Sequence, residues 1–122
     1  MSGLRVLIVD DRSEVRQDLR TLLPLAANID IVGEAADGLA AVAFAADLAP
    51  QVVLLDLKLP LLDGYQVASQ IKALLPDCRV VALGLYGDAE SRLRARQAGC
   101  DAFVDKAAPP GELLEAILSR KG

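Results

Sequence analysis

The alternation of short apolar runs with stretches of helical periodicity is the feature of this chain that most constrains its fold. The apolar runs have strand length and recur five times, at residues 4–9, 29–35, 52–55, 80–83 and 103–104. Strands that alternate with helices in this way predict a parallel sheet covered by helices. Because residues 52–55 are apolar throughout, we expect them to form a central strand buried on both faces. The pattern predicts a single three-layer α/β sandwich.

Apolar stripes and helix-breaking residues define the intervening helices. Four apolar residues share one face of the first helix: Val15, Leu19, Leu22 and Leu23. Pro24 is predicted to end that helix. A second stripe is predicted to be the buried face of the second helix: Leu39, Val42, Ala43 and Ala46. The fourth helix, residues 89–98, has Leu93 as its main large apolar residue and is expected to pack most loosely. Pro110 suits the first position of the fifth helix.

Length, charge and composition exclude several functional classes. The 122 residues suffice for one domain with a core, and the longest uncharged stretches, such as residues 38–46, are far too short to span a membrane. The start of the chain also lacks the long apolar region of a signal peptide. A net charge of −4 and few aromatic residues argue against direct binding of nucleic acid. Two cysteines without metal-ligand spacing and the absence of histidine argue against a zinc site and fit a reducing cytoplasm.

Charged residues follow three of the five predicted strands. Asp10 and Asp11 follow the first strand, Asp56 the third, and Asp105 with Lys106 the fifth. Ligands of open parallel sheets bind at the carboxyl ends of the strands, where these residues are expected to meet. Two carboxylates about 4 Å apart repel by roughly 4 kcal/mol at an effective dielectric constant near 20. A hard cation such as Mg²⁺ and a lysine are the available compensations, and together they predict a phosphate-handling site.

Each of these residues has a simpler explanation when it is taken alone. Asp10 and Asp11 could cap a helix, Asp56 could be a loop acid, and Lys106 could be a solvated surface lysine. Asp63 followed by Gly64 is by itself a turn signal. The prediction of a phosphate site therefore depends on the combination.

Three segments together resemble the receiver domains of two-component response regulators. They read Val-Leu-Ile-Val-Asp-Asp at 6–11, Asp-Leu-Lys-Leu-Pro-Leu-Leu-Asp-Gly at 56–64, and Phe-Val-Asp-Lys at 103–106. The resemblance covers the whole chain and implies a flavodoxin-like (CheY-like) fold with five helices and a five-stranded parallel sheet of order 2-1-3-4-5. Residues 31–38 and 113–117 look most like the branch that precedes a LuxR-type helix-turn-helix. No output domain follows within these 122 residues, so a stand-alone receiver and an excised one both stay open.

The resemblance also implies a role for each residue of the predicted site. Asp56 matches the phospho-acceptor, and Lys106 matches the lysine that binds the phosphoryl group. Asp10 and Asp11 match the acidic pair that binds Mg²⁺ directly or through water. The backbone carbonyl of Lys58 would supply a further metal ligand.

Two further positions correspond to the conformational switch of the family. Phe103 matches an aromatic residue that swings inward on activation. Gly84 stands where the family has threonine or serine, and it offers no hydroxyl to a phosphoryl oxygen. We therefore expect phosphorylation to shift this chain less completely than its relatives. Gly84→Thr should increase the active population, visible in amide shifts around Phe103, Tyr86 and helix four.

The resemblance implies signalling rather than catalysis on a separate substrate. A sensor histidine kinase in the cytoplasm would phosphorylate Asp56, and a downstream effector or a missing output domain would recognise the face formed by helix four, strand five and helix five. The protein would be a monomer or a weak phosphorylation-dependent dimer. A pseudo-receiver, a constitutive interaction module, is the alternative that Gly84 favours.

Small enzymes of the same fold class fit the sequence less well. A phosphatase of the haloacid dehalogenase type would need an acid where Lys58 stands. A flavin phosphate would be repelled by Asp10 and Asp11.

Overall fold

Five parallel strands form one sheet, and helices cover both of its faces in the computed structural model, which describes residues 3–84 and 88–119. The strands are β1 (Leu4–Val9), β2 (Ile29–Ala35), β3 (Val52–Asp56), β4 (Arg79–Gly84) and β5 (Ala102–Asp105). The helices are α1 (Ser13–Ala26), α2 (Gly38–Leu48), α3 (Gly64–Leu74), α4 (Ala89–Gln97) and α5 (Pro110–Leu118). All neighbouring strands pair in parallel, in the order β2-β1-β3-β4-β5. The predicted fold class and strand order are confirmed.

Two hydrophobic cores lie on opposite faces of the sheet, and β3 contributes to both. Val53 and Leu55 pack in the core that α2 and α3 cover. Val52 and Leu54 pack in the core that α1 and α5 cover. Every residue of β3 is buried, which confirms its prediction as a central strand. The alternation follows from the pleat, because successive side chains of a strand point to opposite faces.

Helix α1 extends past the proline that was predicted to end it. Pro24 lies inside the helix, which continues to Ala26, so that prediction is wrong. Proline removes one helical hydrogen bond, here near the end of the helix at an exposed position where water can bind the freed carbonyl. The α1 side chain that is buried in the core is Leu23.

The buried face of α2 also differs from the predicted stripe. The helix buries Gly38, Ala41 and Ala45, whereas Leu39 is 60% exposed. The only charged residue of this helix is Asp47, so the hydrophobic pattern is nearly uniform around its axis and could not identify the inward side.

Helices α4 and α5 follow their predictions more closely. In α4 the buried residue is Ala95, and Leu93 is 53% exposed, as expected for a loosely packed helix. Helix α5 begins at Pro110, which confirms the position predicted for that proline.

The connection from β3 to α3 folds tightly against the end of β3. The N–H of Gly64 donates to the carbonyl of Leu57 at 3.2 Å. A Cβ on Gly64 would collide with the backbone of Leu57, so this close approach requires glycine. Asp63 caps α3 by accepting a hydrogen bond from the N–H of Gln66 at 2.9 Å. These contacts fix the backbone that follows Asp56.

Candidate functional site

Three carboxylates meet at the carboxyl ends of the adjacent strands β1 and β3. One oxygen from each of Asp10, Asp11 and Asp56 lies within 4.8 Å of the others. Asp10 is fully buried and Asp56 is 3% exposed, whereas Asp11 faces solvent. The structure therefore brings together the three acids that the sequence singles out.

Lys106 reaches this cluster from the far side of β4. Its Nζ lies 3.1 Å from Oδ2 of Asp56 and 3.7 Å from Oδ2 of Asp10. Its backbone N–H donates to the carbonyl of Gly84 at 2.7 Å, which holds the start of the β5–α5 connection against β4. One ammonium group thus forms ion pairs with two buried carboxylates.

Backbone N–H groups fix one oxygen of each buried acid. Oδ1 of Asp10 accepts a hydrogen bond from Arg12 at 2.9 Å, and Oδ1 of Asp56 accepts one from Lys58 at 3.0 Å. The N-cap of α1 is Arg12, without a side-chain capping bond among the described residues, so the alternative that Asp10 and Asp11 cap this helix is wrong. The position of the Lys58 carbonyl as a metal ligand stays a prediction.

Asp10 carries a buried negative charge that the protein compensates incompletely. Oδ2 of Asp10 accepts no hydrogen bond from any described residue. Burial raises the pKa of Asp10 above its ordinary value, and the charges of Asp56 and Asp11 raise it further. The N–H of Arg12 and the ammonium of Lys106 act in the opposite direction. A buried oxygen without a donor beside two other carboxylates fits a hard divalent cation such as Mg²⁺.

A cleft of about 260 Å³ opens beside Asp56, and one of its walls is the ring of Phe103. A Cβ on Gly84 would lie 2.5 Å from Cζ and 3.0 Å from Cε2 of that ring. The ring therefore fills the space that a side chain at position 84 would need. The guanidinium of Arg92 lies 4.8 Å from the centre of the ring. Tyr86, where an NMR response is expected, lies outside the described residues.

Arg16 touches the site without having been predicted from the sequence. Its Nη1 donates to the backbone carbonyl of Asp10 at 2.6 Å, and its Nε donates to Glu34 at 3.1 Å. The sequence signal for Arg16 is that α1 begins just after the acid pair, so that a side chain in the first helical turn can reach the end of β1. The contact with Glu34 could not be predicted in this way, because Glu34 lies on β2 and not near Arg16 in the sequence.

Comparisons with known proteins relate the chain to a family. The family profile described as response regulator receiver domain matches residues 6–118. The uncharacterized transcriptional regulatory protein YhcZ of Bacillus subtilis (strain 168) is 36% identical over 112 residues, which are 92% of this chain and 52% of that protein. The response regulator protein VraR of Staphylococcus saprophyticus is 34% identical over 114 residues, 93% of this chain and 54% of that protein. The chain spans about half the length of these curated relatives.

Solved structures show the same likeness. The signal receiver domain of NarL from Mycobacterium tuberculosis has a TM-score of 0.89 at 32% identity, with 97% of this chain and 95% of that chain covered. A CheX–CheY complex with BeF₃ and Mg²⁺ from Borrelia burgdorferi matches with a TM-score of 0.87 at 25% identity, covering 95% of this chain and 87% of that one. Within the described ranges, the helices are too short or too polar to cross a membrane.

Proposed function

Because the chain belongs to the response regulator receiver domain family, we propose that it accepts a phosphoryl group on Asp56 in two-component signalling. The observation that carries this proposal is the arrangement of Lys106 and the acid cluster around Asp56, with 3.1 Å between Nζ and Oδ2. Asp56 is a nucleophile at the rim of a cleft, and Lys106 is a cation placed to bind a phosphoryl oxygen.

The proposed transfer follows from the groups around Asp56. A carboxylate oxygen of Asp56 attacks phosphorus in line, the bond from phosphorus to the donor breaks, and the donor leaves with the bonding electron pair. The Lys106 ammonium binds a phosphoryl oxygen, and the N–H of Lys58 keeps the carboxylate oriented. Mg²⁺ held by Asp10, Asp11, Asp56 and the Lys58 carbonyl would neutralise charge on the phosphoryl oxygens. The CheX–CheY complex of Borrelia burgdorferi, which contains BeF₃ and Mg²⁺, supports the proposal of a magnesium site in this chain.

The proposed partners are a sensor histidine kinase as donor and an effector that recognises the phosphorylated form. A kinase of this type places the reaction in the cytoplasm. The loose packing of α4 favours the face formed by α4, β5 and α5 as the recognised surface. Since the curated relatives are about twice as long, the effector is proposed to be a LuxR-type output domain or a separate protein. The protein is proposed to be a monomer or to dimerise weakly on phosphorylation.

Intact-mass spectrometry tests the proposed reaction directly. The complete chain is incubated with acetyl phosphate and Mg²⁺, and the same reaction is run with an excess of EDTA. We expect one phosphoryl addition with Mg²⁺ and little or none with EDTA, because three carboxylates would otherwise repel the incoming phosphate. The absence of an adduct at saturating Mg²⁺ would contradict the proposal.

A pseudo-receiver is the second candidate function, and the seating of Phe103 favours it. The ring fills the space beside Gly84, where no side chain competes with it. A partner that recognises this ring position would bind the chain constitutively. No adduct at Asp56 together with partner binding that ignores phosphodonors would establish this alternative.

Gly84→Thr is expected to displace the Phe103 ring, since the ring occupies the position of the new side chain. In the parent, the ring resonances should change little when beryllofluoride and Mg²⁺ are added. In Gly84→Thr they should change strongly, because a hydrogen bond from the hydroxyl to the phosphoryl mimic would move residue 84, together with its Cβ, away from the ring. NMR of the chain labelled at phenylalanine measures both responses, with Phe44 as an internal reference.

Gly84→Ala is the matched control for this experiment. It adds the Cβ without the hydroxyl, so the ring should be displaced with and without beryllofluoride. A parent ring that responds as strongly as the threonine variant would show that Gly84 does not hold the ring inward.

A further inference from the structure

We propose that Arg16 is a positioning residue of the acidic site, because it holds the backbone of Asp10 in the place where the carboxylates can share a metal ion. This inference rests on the proposed function, since it concerns the Mg²⁺ that phosphoryl transfer would use. Arg16 binds no substrate and acts through Asp10.

The backbone of Asp10 lies just beyond the end of β1 and is held by two hydrogen bonds. Its N–H donates to the carbonyl of Ala35 at 3.0 Å. Its carbonyl accepts from Nη1 of Arg16 at 2.6 Å. Both hydrogen bonds lead to β2, because Arg16 in turn binds Glu34, the neighbour of Ala35. Arg16 therefore links the end of β1 to β2 by binding both the Asp10 carbonyl and Glu34.

The burial of this contact distinguishes Arg16 from an ordinary surface arginine. The side chains of Arg16 and Glu34 are 17% and 21% exposed, so water competes weakly for their hydrogen bonds. Arg20 binds the same Glu34 at 2.6 Å, but its side chain is 63% exposed. The hydrogen bonds described for Arg20 do not include Asp10. The two arginines thus share one acidic partner and differ in their contact with the site.

The role of this link through Arg16 follows from the repulsion among the three carboxylates of the site. Asp10 and Asp11 follow each other directly in the chain, and both face the charge of Asp56. Without the Arg16 contact, the Asp10 carbonyl loses one of the two backbone hydrogen bonds that hold this residue, so the repelling carboxylates can move apart more easily. The metal must then supply the free energy that brings them together again. Groups that orient metal ligands typically change metal affinity by 10- to 100-fold, and we expect roughly tenfold weaker Mg²⁺ binding for Arg16→Met.

The experiment compares Arg16→Met with Arg20→Met, which removes the other arginine from the same glutamate. Isothermal titration calorimetry measures the Mg²⁺ dissociation constant of each unphosphorylated chain. We expect roughly tenfold weaker binding for Arg16→Met and a value within about twofold of the parent for Arg20→Met. Arg16→Lys, which keeps the charge but cannot bridge two acceptors in a planar fork, should bind Mg²⁺ with intermediate affinity.

A second measurement separates positioning from catalysis and from damage to the fold. At saturating Mg²⁺, Arg16→Met should still form the single adduct with acetyl phosphate. Its urea midpoint identifies any loss of folding, and Arg16→Lys carries the test if Arg16→Met does not fold. Equal Mg²⁺ affinity in Arg16→Met and the parent would overturn the inference, and so would equal weakening in both methionine variants. If the parent itself neither binds Mg²⁺ nor forms an adduct, the proposed function fails instead.

Discussion

Asp56→Asn is expected to abolish phosphorylation by acetyl phosphate completely. The amide of asparagine carries no negative charge and is a poor nucleophile, and it fits the space of the aspartate while removing the ion pair with Lys106. Intact-mass spectrometry should show the unmodified mass at times when most of the parent carries one phosphoryl group. The variant should nevertheless fold, because one carboxylate of a mutually repelling cluster becomes neutral.

Asp105→Asn is the matched control for this prediction. Asp105 also ends a strand of the sheet, but its Oδ1 accepts from the N–H of Ala107 at 2.9 Å, and it does not belong to the acid cluster. This variant should form the adduct at a rate similar to the parent. An adduct that persists in Asp56→Asn would show that a different carboxylate is the acceptor.

Asp10→Asn is expected to stabilise the metal-free protein while removing most of its affinity for Mg²⁺. Neutralising a buried carboxylate whose Oδ2 has no donor among the described residues relieves both desolvation and repulsion. We expect the free energy of unfolding in EDTA to rise by about 1 to 3 kcal/mol. Urea denaturation in EDTA measures this gain, and calorimetric titration measures the loss of Mg²⁺ binding. A variant less stable than the parent in EDTA would contradict the prediction.

The pH dependence gives the same prediction a second readout. Burial raises the pKa of Asp10 in the folded chain, so the folded state binds this proton more tightly than the unfolded state does. Protonation of Asp10 therefore adds nothing to the free energy of unfolding above the pKa of the folded state. Its contribution grows as the pH falls through that pKa and is complete below the ordinary value of 3.8. Urea midpoints in EDTA between pH 7 and acidic pH should show this gain in the parent and lack it in Asp10→Asn.

The strands and helices could be predicted from the sequence wherever apolar residues are clearly separated from polar ones. Strands with bounded apolar runs were predicted well, and β2 was predicted to the residue. The order of the strands came from the resemblance to receivers, since no local pattern specifies which strands pair. The buried face of α2 was missed because Ala41 and Ala45 resemble their exposed neighbours in hydrophobicity. Pro24 was misjudged because its effect depends on exposure, which the sequence does not state.

The site was predictable to the extent that it lies on strand ends. Asp10, Asp56 and Lys106 meet because the carboxyl ends of parallel strands share one edge of the sheet. Contacts between side chains of different elements could not be predicted in the same way. The Phe103 ring against Gly84 and the pair of Arg16 with Glu34 both depend on side-chain directions that only the assembled sheet defines.

The placement of Asp56 on β3 determines which surfaces of the protein can sense a change at that residue. Asp56 is the last residue of the strand whose other members alternate between the two cores. Close packing transmits small displacements, because neighbouring side chains have little free volume in which to absorb them. Through the residues of β3, a displacement of Asp56 can be transmitted to both the α1–α5 layer and the α2–α3 layer. Two partners docked on opposite sides of the domain could therefore respond to one chemical event without touching it.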